Sequence, residues 1–132
     1  MIMSFFDKMF GNNDSKVNSS SRIKWNNLTQ LQQLDSIVEE SSDTPVLIFK
    51  HSTRCSISRM ALKGFEREYA IEEDDAKAYF LDLLAHRDIS NEITSRFGVM
   101  HQSPQILLIK NGEAVFYASH SNIDATTVKE KL

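Results

Sequence analysis

From position 23 onward the chain alternates between short apolar runs and amphipathic stretches, a pattern that predicts a regular succession of strands and helices. A short strand is read at Ile23 to Trp25. Asn27 is placed to cap a helix whose apolar stripe is Leu31, Leu34, Ile37 and Val38, and Asp43-Thr44-Pro45 breaks it. Val46-Leu47-Ile48-Phe49 is an unbroken apolar run between turn signals, the signature of a strand covered on both faces. After the polar loop Ser52 to Arg54, Ile57, Ala61, Phe65 and Tyr69 recur at helical spacing as far as about Ala70. Glu72-Glu73-Asp74-Asp75 reads as a solvated loop without calcium-loop spacing.

The second half continues the alternation. Tyr79 to Leu83 has strand character, and Asp88 or Ser90 caps a helix using Ile93 and Phe97 that Gly98 ends. Ile106 to Ile109 is another buried strand, Asn111-Gly112 a two-residue hairpin turn, and Ala114 to Tyr117 the returning strand. Asn122 or Asp124 opens a last helix carrying Ile123, Val128 and Leu132. The order β-α-β-α-β-α-β-β-α implies two parallel crossovers, then a hairpin whose outer strand forms the antiparallel edge, then a helix. That is an α/β sandwich with a mixed central sheet.

Residues 1–22 break the pattern. Ile2, Phe5, Phe6, Met9 and Phe10 have near-helical spacing, whereas Gly11 to Ser21 is a Gly/Asn/Ser-rich linker. Asp7 and Lys8 interrupt any secretory apolar core, so this is read as a flexible leader to a domain over 23–132. The 132 residues suit one domain, and 41% hydrophobic with 25% charged residues is ordinary for a globular protein. A net charge of -3 with pI near 5.8 offers no basic field for nucleic acid, and no apolar run approaches a transmembrane span. A single cysteine excludes an internal disulfide and a thiolate-rich zinc site, and favours the cytoplasm.

That cysteine is the candidate chemistry. Cys55 falls where a buried strand has ended and a helix begins, the end of a parallel sheet where ligands bind. Unpaired amides and the positive end of the helix dipole favour a thiolate there. Arg54, Arg59 and His51 are close enough in sequence to add positive potential. Thiols so placed titrate at about 3.5–7.5. The bland alternative is a buried cysteine serving as a small hydrophobe.

Strand, Cys55-Ser56-Ile57-Ser58 and helix resemble the active-site segment of the thioredoxin family, with Ser58 standing where the pattern has its second cysteine. Arg96 to Gly112, containing Gly98-Val99, Ser103-Pro104 and Lys110-Asn111-Gly112, resembles that family's second signature. His51 to Ser58 together with Ser103-Pro104-Gln105 is similar to the bacilliredoxin-type monothiol proteins of the bacillithiol system. Where that family often has proline after the cysteine, this chain has Ser56.

The resemblance implies a thioredoxin-like three-layer sandwich, four to five strands flanked by helices. It implies a cis Ser103–Pro104 bond, with His101, Ser103 and Pro104 in a loop that presents backbone groups to substrate. It makes Cys55 the nucleophile of a monothiol thiol–disulfide oxidoreductase that removes bacillithiol from protein mixed disulfides. Ser58, Ser56, Arg54 and His51 would support the thiolate, Ser58 by donating a hydrogen bond to the sulfur. Lys50, Arg54, Arg59 and Lys63 are candidates for holding carboxylates of the small thiol, with solvated surface charge as the alternative. The implied partners are bacillithiolated proteins and bacillithiol itself as thiol co-substrate, the protein being a monomer with no bound cofactor or metal.

Other sites fail on spacing. Cys55 and Arg59 are too close for a cysteine-phosphatase loop, four glycines cannot write a phosphate-binding motif, and the histidines show no paired ligand spacing. A Cys55–His101 or Cys55–His51 hydrolase pair lacks an oxyanion element beyond the helix end. The competitor from another class is a redox-inert thioredoxin-like module that holds extended peptides at Pro104.

Overall fold

A computed structural model describes residues 23–72 and 74–132. In chain order the elements are β1 (Trp25–Asn27), α1 (Gln33–Glu40), β2 (Val46–His51), α2 (Ser56–Glu68), β3 (Lys77–Asp82), α3 (Arg87–Phe97), β4 (Gln105–Lys110), β5 (Glu113–Ser119), a 3-10 turn (His120–Asn122) and α4 (Ala125–Lys131). The leader and linker read from the sequence lie outside the described residues.

The five strands form one sheet in the order β1-β3-β2-β4-β5. β2 is central and buried at all six positions. Because a strand points alternate residues to opposite faces, its run of apolar side chains supplies two cores at once. Val46 and Ile48 pack with Leu34, Ile37, Ile89 and Ile93 under α1 and α3. Leu47 and Phe49 pack with Phe65, Tyr69, Ala125 and Val128 under α2 and α4. The result is a three-layer α/β sandwich, in which each fully buried Leu, Ile or Phe contributes about 1.5–3 kcal/mol.

β1 and β3 run parallel to β2, whereas β4 pairs antiparallel with β2 and β5 antiparallel with β4. The antiparallel strand is therefore the inner strand of the hairpin, not the outer one expected from the element order. β3 ends with Asp82 opposite His51, and β4 begins with Gln105 opposite Lys50. The two parallel crossovers are β1-α1-β2 and β2-α2-β3, and the segment 98–104 returns the chain to the end of the sheet it had just left, so α3 makes no third.

Two cap assignments also change. Asn27 is the last residue of β1 rather than a helix cap. Gln33 organises the entry to α1, its Oε1 accepting from the amides of Thr29 and Gln30 and its Nε2 donating to Asn27 O. Leu31, placed in the core stripe from periodicity, precedes the first helical turn and is 46% exposed. The cap of α3 is His86, not Asp88 or Ser90, which lie inside the helix. The other punctuation follows the sequence: Gly98 ends α3 with φ 68°, and Asp124 caps α4 by accepting from Thr127 N.

β1 has only three residues, and Trp25 anchors it. Its ring meets Phe49 edge-on at 5.9 Å and Phe80 at 5.6 Å, and its Nε1 donates to Glu66 Oε2 at 2.7 Å. At the opposite end of the sheet from Cys55, the β4–β5 hairpin is tied to α1. Asn111 and Gly112 both have positive φ, as the turn requires. Gly112 N donates to Ser41 Oγ at 2.8 Å, Asn111 N donates to Ser41 O, and Ser41 Oγ donates to Val38 O. Ser41 is 4% exposed. Replacing Ser41 with Ala leaves the part-buried Gly112 amide without its acceptor, so urea unfolding is expected to show a loss of about 1 kcal/mol or more.

Candidate active site

The last residue of β2, His51, is fixed to β3 by the bond from Leu83 N to His51 O at 3.0 Å. Four residues then separate strand from helix, and Cys55 N closes a turn on Ser52 O at 3.2 Å. Cys55 is the N-cap of α2, with extended backbone (φ -106°, ψ 121°) and no side-chain cap bond. An N-cap side chain is aimed at the first amides of its helix, which have no intrahelical acceptor. Where serine or aspartate would satisfy those amides, this chain places a sulfur. Cys55 is half-buried, so reagents reach it.

What holds this turn is a buried hydrogen-bond network one helical turn further on. Ser58 is fully buried. Its Oγ accepts from Ser52 N at 3.0 Å and lies 2.8 Å from His51 Nδ1. A hydroxyl has one proton, and the Ser52 amide, itself a donor, cannot accept it. The arrangement that satisfies every group therefore has Ser58 O–H donating to Nδ1, with the ring proton on Nε2. Arg59 adds an outer tie, its Nη1 donating to Thr53 O at 3.2 Å.

Two expected roles change in consequence. Ser58 spends its hydroxyl on His51 and Ser52 rather than on the sulfur. His51 is 5% exposed, between the rings of Phe49 and Phe80. Burial holds its pKa below 6.5 against the opposing pull of Asp82, with Arg59 lowering it further and Glu66 raising it. The ring is neutral at pH 7 and supplies an acceptor, not a positive charge. Arg54 and Ser56 are both exposed beside Cys55.

The Ser103–Pro104 peptide is cis, and the Lys50–Gln105 pairing sets this loop beside the end of β2. Pro104 is buried and its carbonyl accepts from His120 N at 3.0 Å. Among the described residues the backbone of Ser103 makes no hydrogen bond. His101 is exposed, its Nδ1 3.3 Å from Ser90 Oγ, and its pKa is lowered by partial burial and by the charges of Lys50 and Arg87.

Lys50 is where the sequence misled most. It is a candidate surface cation by sequence, yet it is wholly buried, and among the described residues its Nζ has no partner. Its register mate Gln105 is 2% exposed and fixed through Nε2 to Met100 O and Ser119 Oγ, leaving Oε1 unpaired. Ser103 Oγ is unpaired as well. Desolvation lowers the Lys50 pKa to about 8. The signal was present in the sequence: β2 did not stop at Phe49, and its next alternation sends residue 50 into the α1/α3 layer.

Away from this end of the sheet, a cleft of about 470 Å³ is lined by Lys24, Glu40, Tyr69, Asp74 and Lys77 among others. It adjoins the starts of β2 and β3 and contributes nothing to the cysteine site. No helix of the described residues is long and apolar enough to cross a membrane.

Comparison with known proteins fits this geometry. The family model of the monothiol bacilliredoxin BrxC matches residues 26–128, well over half of the chain. The chain belongs to the monothiol bacilliredoxin family. Among solved structures, it is similar to an oxidoreductase candidate with a thioredoxin fold, at 31% identity and TM-score 0.67 over 79% of this chain and 89% of that one. Thioredoxins of Malassezia sympodialis (17% identity, TM-score 0.65, covering 90% and 95%) and Schistosoma mansoni (22%, 0.58, covering 82% and 92%) share the fold. This bacilliredoxin-family chain is thus a thiol redox protein with a thioredoxin fold.

The buried amine of this family member carries a stability prediction. The folded Lys50 pKa of about 8 lies below the unfolded 10.5, so between those values the unfolded chain holds more protons and stability rises with pH. Below about pH 8 the penalty is fully present, on the order of 3 kcal/mol. Replacing Lys50 with Met is expected to stabilise the protein at pH 7, and the gain should shrink as pH approaches 10. Urea unfolding of both proteins across pH 7–10 measures the difference curve; a flat difference contradicts it.

Proposed function

We propose that Cys55 removes bacillithiol from protein mixed disulfides. The Cys55 thiolate attacks the bacillithiol sulfur, a new Cys55–bacillithiol disulfide forms, and the protein cysteine leaves as thiolate and takes up a proton from water. A second thiol, bacillithiol itself, then attacks the adduct, regenerating Cys55 and leaving as the bacillithiol disulfide. The single observation that carries this reading is an accessible sulfur alone at the N-cap of α2, with a serine in place of a resolving thiol one turn on.

Other features support it. An anion formed at Cys55 meets the unpaired first amides of α2. The unpaired backbone of Ser103 can bind an extended substrate chain beside the sulfur, with His101 and Pro104 flanking it. Ser58 cannot resolve the adduct, because a hydroxyl forms no disulfide, and it serves to position the turn. The protein acts as a cytoplasmic monomer, with bacillithiol as co-substrate and no bound cofactor.

Incubating the protein with a bacillithiolated substrate and following intact masses tests this reading. The bacillithiol mass should move from substrate to protein and should fail to move with Cys55→Ala; an adduct that stays on the substrate overturns it. With Ser58→Cys the captured adduct should disappear without added thiol as the two neighbouring sulfurs pair. Persistence of the adduct in that variant would show that the two positions do not meet.

A further inference from the structure

Around Cys55 the charge is out of keeping with the rest of the chain. Residues 45–65 contain four Lys and Arg and no carboxylate, whereas the remaining positions carry eleven basic and eighteen acidic residues. Lys50 of those four is buried, but Arg54, Arg59 and Lys63 are exposed. The ion pairs found among the described residues are Lys77–Glu40, Arg96–Asp35 and Arg96–Glu92, so among those residues these three cations have no carboxylate partner. Arg59 and Lys63 stand one turn apart on α2 and face the same way.

Large exposed apolar side chains stand at the same end of the sheet. Ile57 is 56%, Met60 72% and Met100 78% exposed. Ile57 and Met60 are one turn apart on the first two turns of α2, and Met100 projects from the loop that carries the cis peptide. A single exposed apolar residue means little. Ile57 and Met60 alternate along α2 with cations that have no carboxylate partner among the described residues, and Met100 stands on the loop at the same end of the sheet, so this end offers both an attractive field and apolar anchors. Methionine adapts its shape to varied partners.

We propose that this surface docks an acidic polypeptide segment with apolar side chains, the flank of the protein that carries the mixed disulfide. The inference rests on the transfer reading above and adds which substrates it favours. Carboxylates of the partner pair with Arg54, Arg59 and Lys63, while its apolar residues cover Ile57, Met60 and Met100. The net negative remainder of the chain repels a long polyanion and confines the attraction to this patch. Such complementarity steers encounter and selects partners, and it weakens as salt shortens the Debye length to about 8 Å at physiological ionic strength.

The test removes sulfur chemistry so that docking stands apart from transfer. Full-length protein carrying Cys55→Ser is titrated against fluorescent peptides of equal length and leucine content, rich in Glu, in Lys or in Ser, and binding is followed by anisotropy. At about 20 mM salt the acidic peptide should bind about tenfold or more tightly than the basic one, and the preference should collapse at about 300 mM. The double change Arg59→Glu with Lys63→Glu should abolish or reverse the order. Equal affinity for the three peptides, or an acidic preference that survives the double change, overturns the proposal. A failure of bacillithiol transfer with this peptide preference intact would instead count against the catalytic reading alone.

Discussion

The hydrogen bond between Ser58 Oγ and His51 Nδ1, shared with the amide of Ser52, is the constraint on which the site depends. It joins the last residue of the central strand to the first turn of α2 across a buried contact. The turn that bears Cys55 hangs between these two ends, so its backbone has little freedom. Buried polar groups of this kind are costly when unpaired and specific when every partner is present. Here each is used, which requires a neutral ring. The aromatic neighbours Phe49 and Phe80 and the burial of His51 together provide that condition.

The same strand explains why the site sits where it does. β2 feeds both cores, then carries its alternation two residues past the apolar run, sending Lys50 to one layer and His51 to the other. His51 finds a partner in Ser58. Lys50 finds none among the described residues, and the structure tolerates a desolvated amine beneath the loop of the cis peptide. The two ends of the sheet are thereby specialised. The Ser41 contacts with the hairpin hold the far end together, while the near end keeps unpaired groups, an accessible sulfur and exposed cations.

Much of this was legible in the sequence because it followed from periodicity and turn chemistry. The strand–Cys55–helix junction, the Asn111-Gly112 turn, the end of α3 at Gly98 and the cap at Asp124 each rest on local rules that tertiary structure had no reason to override. Several of the errors arise where the deciding partner lies on another element. Asn27 belongs to a strand because β3 lies beside it, and β4 is antiparallel because segment 98–104 doubles back. Ser58 bonds His51 rather than the sulfur because His51, seven residues upstream, is buried within reach. Lys50 looked like surface because a charged residue at the end of an apolar run usually is.

A monothiol site of this form needs three things from the chain: a sulfur at a helix start, a rigid turn beneath it and no second thiol in reach. The fold supplies the first, the absence of other cysteines the third, and the Ser58–His51 bond the second. That bond is tested most directly by nitrogen-15 NMR of the His51 ring, titrated from pH 8 to pH 5. At pH 6.5, where an ordinary histidine is half protonated, the ring should be less than half protonated, with the proton of its neutral form on Nε2 and Nδ1 accepting a hydrogen bond. A ring that is half charged at or above that pH, or one carrying its proton on Nδ1, would contradict the account.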